Sequence, residues 1–232
     1  MTESPYDKNP YSGIAISSLI RAFRCPRQYY FYKKNEFASN GKYIICREVS
    51  SSGQDETFDQ IWKTVNLLDP TIPSKLQDFL HVCLDANKNA PRRPWTELDR
   101  TVRSKQLSIY GQLDKFDERT GECTLTRCTK APKTGCWPDD RVRATALLLC
   151  VSETADIRPK GIYIEYIPSG IIRYYTPTPK DRRIVIHTLR QIHAIDKGNF
   201  PPRPLNPPCK GCRFEDTCTS YEPRKLSGLF KK

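Results

Sequence analysis

Apolar residues recur at helical spacing up to about residue 90 and alternate with polar ones beyond it, which divides the chain into a helical entry and a sheet-building middle. Residues 14–34 (IAISSLIRAFRCPRQYYFYKK) predict two helical pieces, with Ser17 or Ser18 placed to cap the first and Pro26 suited to the first turn of the second. Cys25 then stands at the joint, free to point toward a partner element. Phe58, Ile61, Trp62 and Val65 form a core-facing stripe over 55–68. Leu76, Phe79, Leu80 and Cys83 do the same over 73–86, with the turn LDPTIP between them. After the prolines at 91 and 94 the alternation predicts strands over 95–104, 106–117 and 122–130, the third entered through a tight turn at Gly121. A helix over 139–154 presents Ala144, Leu147, Leu148 and Val151, and strands over 160–167 and 171–176 are joined by Pro-Ser-Gly. Thr178-Pro179 opens a last long helix, Asp181 completes a capping box, and Gly198 ends it. This order predicts an α/β plan around a mixed central sheet, followed from Phe200 by a Pro-rich tail.

Composition adds a partner to this plan. The 232 residues, 38% of them hydrophobic, suffice for one core with appendages. No run approaches the roughly 18 apolar residues of a membrane span, and the N-terminus MTESPYDKNPYSG lacks an export pattern, so a soluble, cytoplasmic protein with no membrane role is expected. Lys and Arg number 38 against 26 Asp and Glu, a formal net charge of +12 that suits a polyanion such as nucleic acid, although a solvated basic surface has the same count.

Ten cysteines are many for a protein without an export signal. Cys46, Cys83, Cys123, Cys128, Cys136 and Cys150 stand in or beside apolar stretches and read as small buried hydrophobes. The tail is different: Cys209-Lys-Gly-Cys212 lets two thiolates face one metal from a single turn, Gly211 relieves the backbone, and Cys218 returns to the same side. Three ligands on a short loop need a fourth, and Cys25 beside its proline is the best candidate. Zinc satisfies the same four thiolates; the three-plus-one split suits an iron–sulfur cluster better.

The middle strands carry a second pattern, Gly111-Gln-Leu-Asp114 on one and Lys130 closing the next. A carboxylate facing an acid-x-Lys on the neighbouring strand is one way to hold a divalent metal at a phosphodiester. Asp114 and Lys130 read equally as a structural ion pair.

Taken together, Cys25-Pro-Arg followed by aromatics, the Gly-x-x-Asp114 strand, the strand ending in Lys130 and the Cys-x2-Cys-x5-Cys tail resemble the CRISPR-associated, RecB-like iron–sulfur exonucleases. The resemblance spans roughly residues 14–218. It implies a restriction-endonuclease-like PD-(D/E)XK core over 14–199 and a four-iron cluster loop over 200–220 that packs on Cys25, with residues 1–13 and 221–232 as flexible ends. It also implies DNA as partner, as single strands or duplex ends, together with the CRISPR integrase and other adaptation proteins, and Mg or Mn at any active nuclease site. Glu97 stands where the family often has an acid and is the second candidate metal ligand beside Asp114.

The chain departs from the family at its catalytic positions. Cys128 occupies the acid position before Lys130, and Glu122 lies about 20 Å back along the strand. The family's Gln-x-x-x-Tyr falls near Arg143 and Leu147, and no histidine occurs over 55–65. A worn site is expected to lose most metal-dependent catalysis. The first reading is therefore a DNA-binding protein with weak or no nuclease activity, the second an active exonuclease, the third a zinc-stapled interaction module. Candidate nucleic-acid contacts are Arg24, Arg27 and Lys33 among interleaved tyrosines, Arg143, and Lys210 and Arg213 beside the cysteine loop; the tyrosines serve either to stack on bases or to cover the sheet.

Overall fold

The computed structural model describes residues 13–33, 41–53, 56–154 and 158–221. Most of the two expected flexible ends, and Lys34, lie outside the described residues. Elements are numbered in chain order: β1 Ile14–Ala15, α1 Ile16–Arg24, α2 Pro26–Tyr32, α3 Gly41–Ser51, α4 Phe58–Leu68, α5 Gln77–Asn87, β2 Glu97–Ser104, β3 Ile109–Asp117, β4 Glu122–Arg127, α6 Pro138–Thr154, β5 Ile162–Tyr166, β6 Ile171–Tyr175, α7 Pro179–Asp196 and α8 Glu215–Ser220.

The sheet is mixed, as the order of elements predicts. β3 pairs antiparallel with β2 along its length, β4 pairs parallel with β5, and β5 pairs antiparallel with β6. The other edge of β3 is shared: β1 takes Ile109 and Tyr110, β4 takes 115–117, and residues 111–114 between them have no strand beside them there. Gly111 lets Ile16 and Leu147 pack closely over this gap, since a Cβ would meet Ile16 Cδ1 at 2.7 Å and Leu147 Cδ2 at 3.1 Å and these side chains would have to shift.

Alternation assigns the two faces. Leu125 and Ile164, register partners, turn into the main core with Leu113, Leu147, Val185, Leu189 and Leu19, under α1, α6 and α7. Thr126 and Glu165, the next register pair, face the opposite layer, where Ser50 of α3 hydrogen-bonds both. There α3, α4 and α5 enclose a second core of Ile45, Val49, Ile61, Val65, Leu80 and Ile167. Lys115 crosses this face to a buried pair with Glu165, 2.9 Å.

Four local expectations change. Neither Ser17 nor Ser18 caps α1, which starts at Ile16, two residues before a Ser17 cap would start it, because the preceding residues are held by β3; its N-cap is Ala15, with no side-chain cap. Helix α3 follows from no periodic stripe read in the sequence. β4 stops at Arg127 rather than at residue 130, because its partner β5 gives way to a 3-10 turn at Ile167–Ser169 and offers no further ladder. The Pro-rich tail ends in a short helix, α8, which carries Cys218 and follows from no pattern read in the sequence. Pro26 at the start of α2, the Thr178–Asp181 capping box and Gly198 at φ 98 stand where the sequence puts them. Among the described residues no helix is long and apolar enough to cross a membrane.

Candidate functional site

The gap on β3 opens a cleft of about 410 Å³. Asp114, Thr126, Arg127 and Cys128 reach it from the strands, Tyr43 from α3, and Arg143 and Leu147 from α6. Asp114 is its single acid among the described residues. Cys128 and the helix positions 143 and 147 lie on the cleft, as the resemblance implies, but with side chains that cannot replace a catalytic carboxylate.

Asp114 is buried and already engaged. The Tyr43 hydroxyl donates to Oδ1 and the Thr126 N–H to Oδ2 at 2.6 Å, the latter where β3 and β4 diverge. Burial pushes the carboxyl up to about 6, against those two hydrogen bonds and the charge of Arg143, which favour ionisation. Asp99, on the facing strand β2, adds a smaller upward push. It sits in the left-handed region at φ 57, pairs with Arg47 at 3.1 Å, and shares a smaller cavity of about 210 Å³ with Glu48 and Asp114.

Two expected members are elsewhere. Lys130 lies beyond the end of β4, exposed, and does not reach the cleft, so neither a catalytic pairing nor an ion pair with Asp114 forms. Glu97 is in register with Phe116 rather than Asp114, and its carboxylate pairs with Arg100 at 3.1 Å. Glu122 pairs with Arg93, away from the cleft. Tyr43 of α3 lines the cleft, and of the described residues over 55–65 only Thr64 reaches a cavity shared with Asp114, the smaller one. Asp99 was legible only by counting register two residues past Glu97; Tyr43 had no signal.

The four cysteines come together. Cys25, at the end of α1, and Cys209, Cys212 and Cys218 line one cavity. Gly211 takes φ 76 in the turn between the first two tail cysteines, and the Cys212 N–H donates to the Cys209 carbonyl at 2.7 Å. Arg27 Nη1 approaches Cys218 Sγ at 3.8 Å and Arg203 Nη2 approaches Cys209 Sγ at 3.5 Å, so two guanidiniums face sulfur. Burial raises the Cys25 thiol, and Cys218 and Cys212 add to the rise. Among the described residues no three His, Cys, Asp or Glu side chains gather closely enough for one ion. Four thiols line one cavity, and thiolates are ligands of zinc and of iron–sulfur clusters alike. Aromatics close the same joint: Phe31 stacks on Phe214 at 5.9 Å, and Tyr30 meets Phe200 edge-on at 5.0 Å.

The proposed nucleic-acid contacts divide. Arg27 is a correction: it is 7% exposed, donates to the Pro201 carbonyl at 3.1 Å and lies over the Phe200 ring, so it holds the tail and meets no outside ligand. The tyrosines of α2 pack rather than stack on bases, Tyr29 donating to Asp196 at 3.1 Å and Tyr32 lying under Arg21. Lys33 pairs with Asp196 at 2.6 Å on the surface. Lys210 and Arg213 are exposed on the cysteine loop. Arg24, paired with Asp139, lines a groove of about 520 Å³ with Lys180, Arg183, His187 and Arg203, and no acid lines it.

No protein-family model matches the chain. An uncharacterised protein of Archaeoglobus fulgidus is 29% identical over 215 residues, covering 89% of this chain and 95% of the relative. A crystal structure from Eubacterium rectale, described as a putative exonuclease, superposes with a TM-score of 0.59 over 99% of this chain and 98% of its own at 11% identity, a likeness of fold. The structure described as SSO0001 covers 95% of this chain and 89% of its own at a TM-score of 0.40 and 17% identity. The chain thus has a mixed α/β fold of the kind seen in that exonuclease-like structure.

Proposed function

We propose that this chain is a cytoplasmic DNA-binding protein built on a nuclease scaffold, of the RecB-like iron–sulfur kind that serves CRISPR spacer acquisition, with weak or no nuclease activity. The observation that carries this reading is the cleft at the strand gap, where the resemblance puts a nuclease site but where Asp114 is the only acid among the described residues, with both carboxylate oxygens already accepting hydrogen bonds. A divalent ion needs several oxygen ligands free to bind it. The net charge of +12 and the acid-free groove at α7 support DNA as the partner. Cys25, Cys209, Cys212 and Cys218 would hold a four-iron cluster that ties the two ends of the chain, and the integrase and its accessory proteins are the expected protein partners. In this reading the cluster serves shape.

One observation favours the active exonuclease instead. Glu48, Asp99 and Asp114 line the smaller cavity, and Mg or Mn would have to draw these carboxylates closer together than they stand. Arg47 already neutralises Asp99, which weakens that reading.

Incubation of labelled single- and double-stranded DNA with Mg or Mn decides between them. Binding without cutting is the expected result; robust cutting lost in Asp114→Ala would overturn it. Protein purified without oxygen should be brown and contain iron, and a colourless zinc-containing preparation would remove the cluster.

A further inference from the structure

We propose that the cleft at Asp114 is a phosphate site that works without a metal, with the Arg143 guanidinium standing where a nuclease of this fold would place a divalent cation. The ligand is a phosphate group of single-stranded DNA. This deepens the DNA-binding reading and rests on it.

The charges that face the cleft decide its sign. Two guanidiniums, Arg127 and Arg143, and one carboxylate, Asp114, line it. Each Asp114 oxygen already accepts a hydrogen bond, from the Tyr43 hydroxyl and the Thr126 N–H, which weakens it as a cation ligand. Arg127 is committed on its far side, its Nε 2.5 Å from Asp140 Oδ1. Arg143 is different, because its Nε is enclosed and has no hydrogen-bond partner. Burial and, next, the charge of Arg127 draw this guanidinium down to about 10, with Asp140 and Asp114 partly offsetting them.

An enclosed donor on a cation without an acceptor is costly, and an anion in the cleft would compensate the charge of the guanidinium that carries it. A guanidinium beside a phosphate makes paired, charge-assisted bonds, while a second cation is repelled. The space of about 410 Å³ accommodates a nucleotide-sized group. Gln112, Thr101 and Ser17 add neutral polar groups to the wall. Three features therefore point one way: Cys128 stands in the acid position that the resemblance implies, Arg143 stands near its helix glutamine, and both oxygens of Asp114 already accept hydrogen bonds.

The test is binding of a short single-stranded oligonucleotide, with 5′-phosphate or 5′-hydroxyl, followed by fluorescence anisotropy in EDTA and again in Mg²⁺. Full affinity in EDTA is expected. Arg143→Gln, which keeps size and hydrogen bonding without charge, should weaken binding about tenfold or more, and Arg143→Lys should recover part of it. Inorganic phosphate competing with the 5′-phosphorylated oligonucleotide, on the unaltered protein, tests the site even if the variants fold poorly. A terminal phosphate as ligand gives a preference for the 5′-phosphate form; an internal phosphodiester gives equal affinities, with Arg143 dependence retained. Unchanged affinity in both Arg143 variants overturns the proposal while leaving DNA binding intact. Affinity that appears only with Mg²⁺ overturns it in favour of a metal site, and failure of the wild type to bind either oligonucleotide overturns this proposal and the DNA-binding reading together.

Discussion

At the scale of single residues, the polar groups under the sheet are arranged in pairs whose members depend on one another. Lys115 and Glu165 are both nearly enclosed, and burial lowers the Lys115 ammonium while Glu165 holds it charged. Ser50 donates to the same carboxylate at 2.5 Å, and Thr126 lies beside Ser50. Removing the cation alone leaves a buried, uncompensated carboxylate. Lys115→Met should therefore cost roughly 3–5 kcal/mol, while Lys115→Met with Glu165→Gln should recover much of that loss. Urea unfolding of the two variants checks it; a single variant as stable as the double would mean that Glu165 is rehydrated. The same logic separates Arg27 from Arg143. Arg27 has its acceptors within the chain, at the Pro201 carbonyl and at sulfur, whereas the Arg143 Nε has none.

Elements that are set by local chemistry were legible in the sequence, and those set by distant partners were not. The capping box of α7 and the proline start of α2 are written within a few residues, and both occur. Helix α3 has a buried side of Ile45, Cys46 and Val49 that makes sense only against α4 and α5, so its pattern is weak alone. The end of β4 depends on β5 turning away at Ile167, which nothing near Lys130 records. That single miss moved the expected lysine out of the site. Two predictions belong here. Gly170 adopts φ 60, and a Cβ there would lie 1.9 Å from the Ala86 carbonyl oxygen at the end of α5. Gly170→Ala should lose roughly 2–4 kcal/mol from strain and overlap together, read by thermal unfolding. Asp181, at the start of α7, accepts from the Thr178 N–H at 2.9 Å, from Tyr175 at 2.5 Å and from Arg141 at 2.7 Å. Burial opposes its charge, but these donors outweigh it and hold the carboxyl down at about 2. A depressed carboxyl contributes its stability above its unfolded value near 4 and loses it as pH falls toward 2. The stability gap between wild type and Asp181→Asn should be constant above about pH 5 and shrink below about pH 4. A gap that stays constant down to pH 2 would show that these donors do not favour the charged form.

For the whole molecule, the question is whether the net charge of +12 acts as a diffuse field or through a shaped groove. The groove beside α7 is built by periodicity: Lys180, Arg183, His187 and Gln191 repeat at helical spacing and face Arg24 and Arg203 across it, with Phe23 and Ile184 at its floor. Arg182 and Arg190 are exposed on the same helix but do not line it. Removing two charges from either set changes the net charge equally, so a difference between them isolates position from sum. On single-stranded DNA each phosphate contact contributes about 0.7 to the slope of log affinity against log salt. If the strand lies in the groove, Lys180→Gln with Arg183→Gln should lower the slope by about 1.4, whereas Arg182→Gln with Arg190→Gln should leave it nearly unchanged. Equal reductions in the two double variants would assign DNA binding to the diffuse field and leave the groove without a role. A slope lowered only by the groove variant, with the Arg143 dependence intact in EDTA, would place the strand on two separate surfaces. One is the groove on α7 and the other the cleft between α3 and α6.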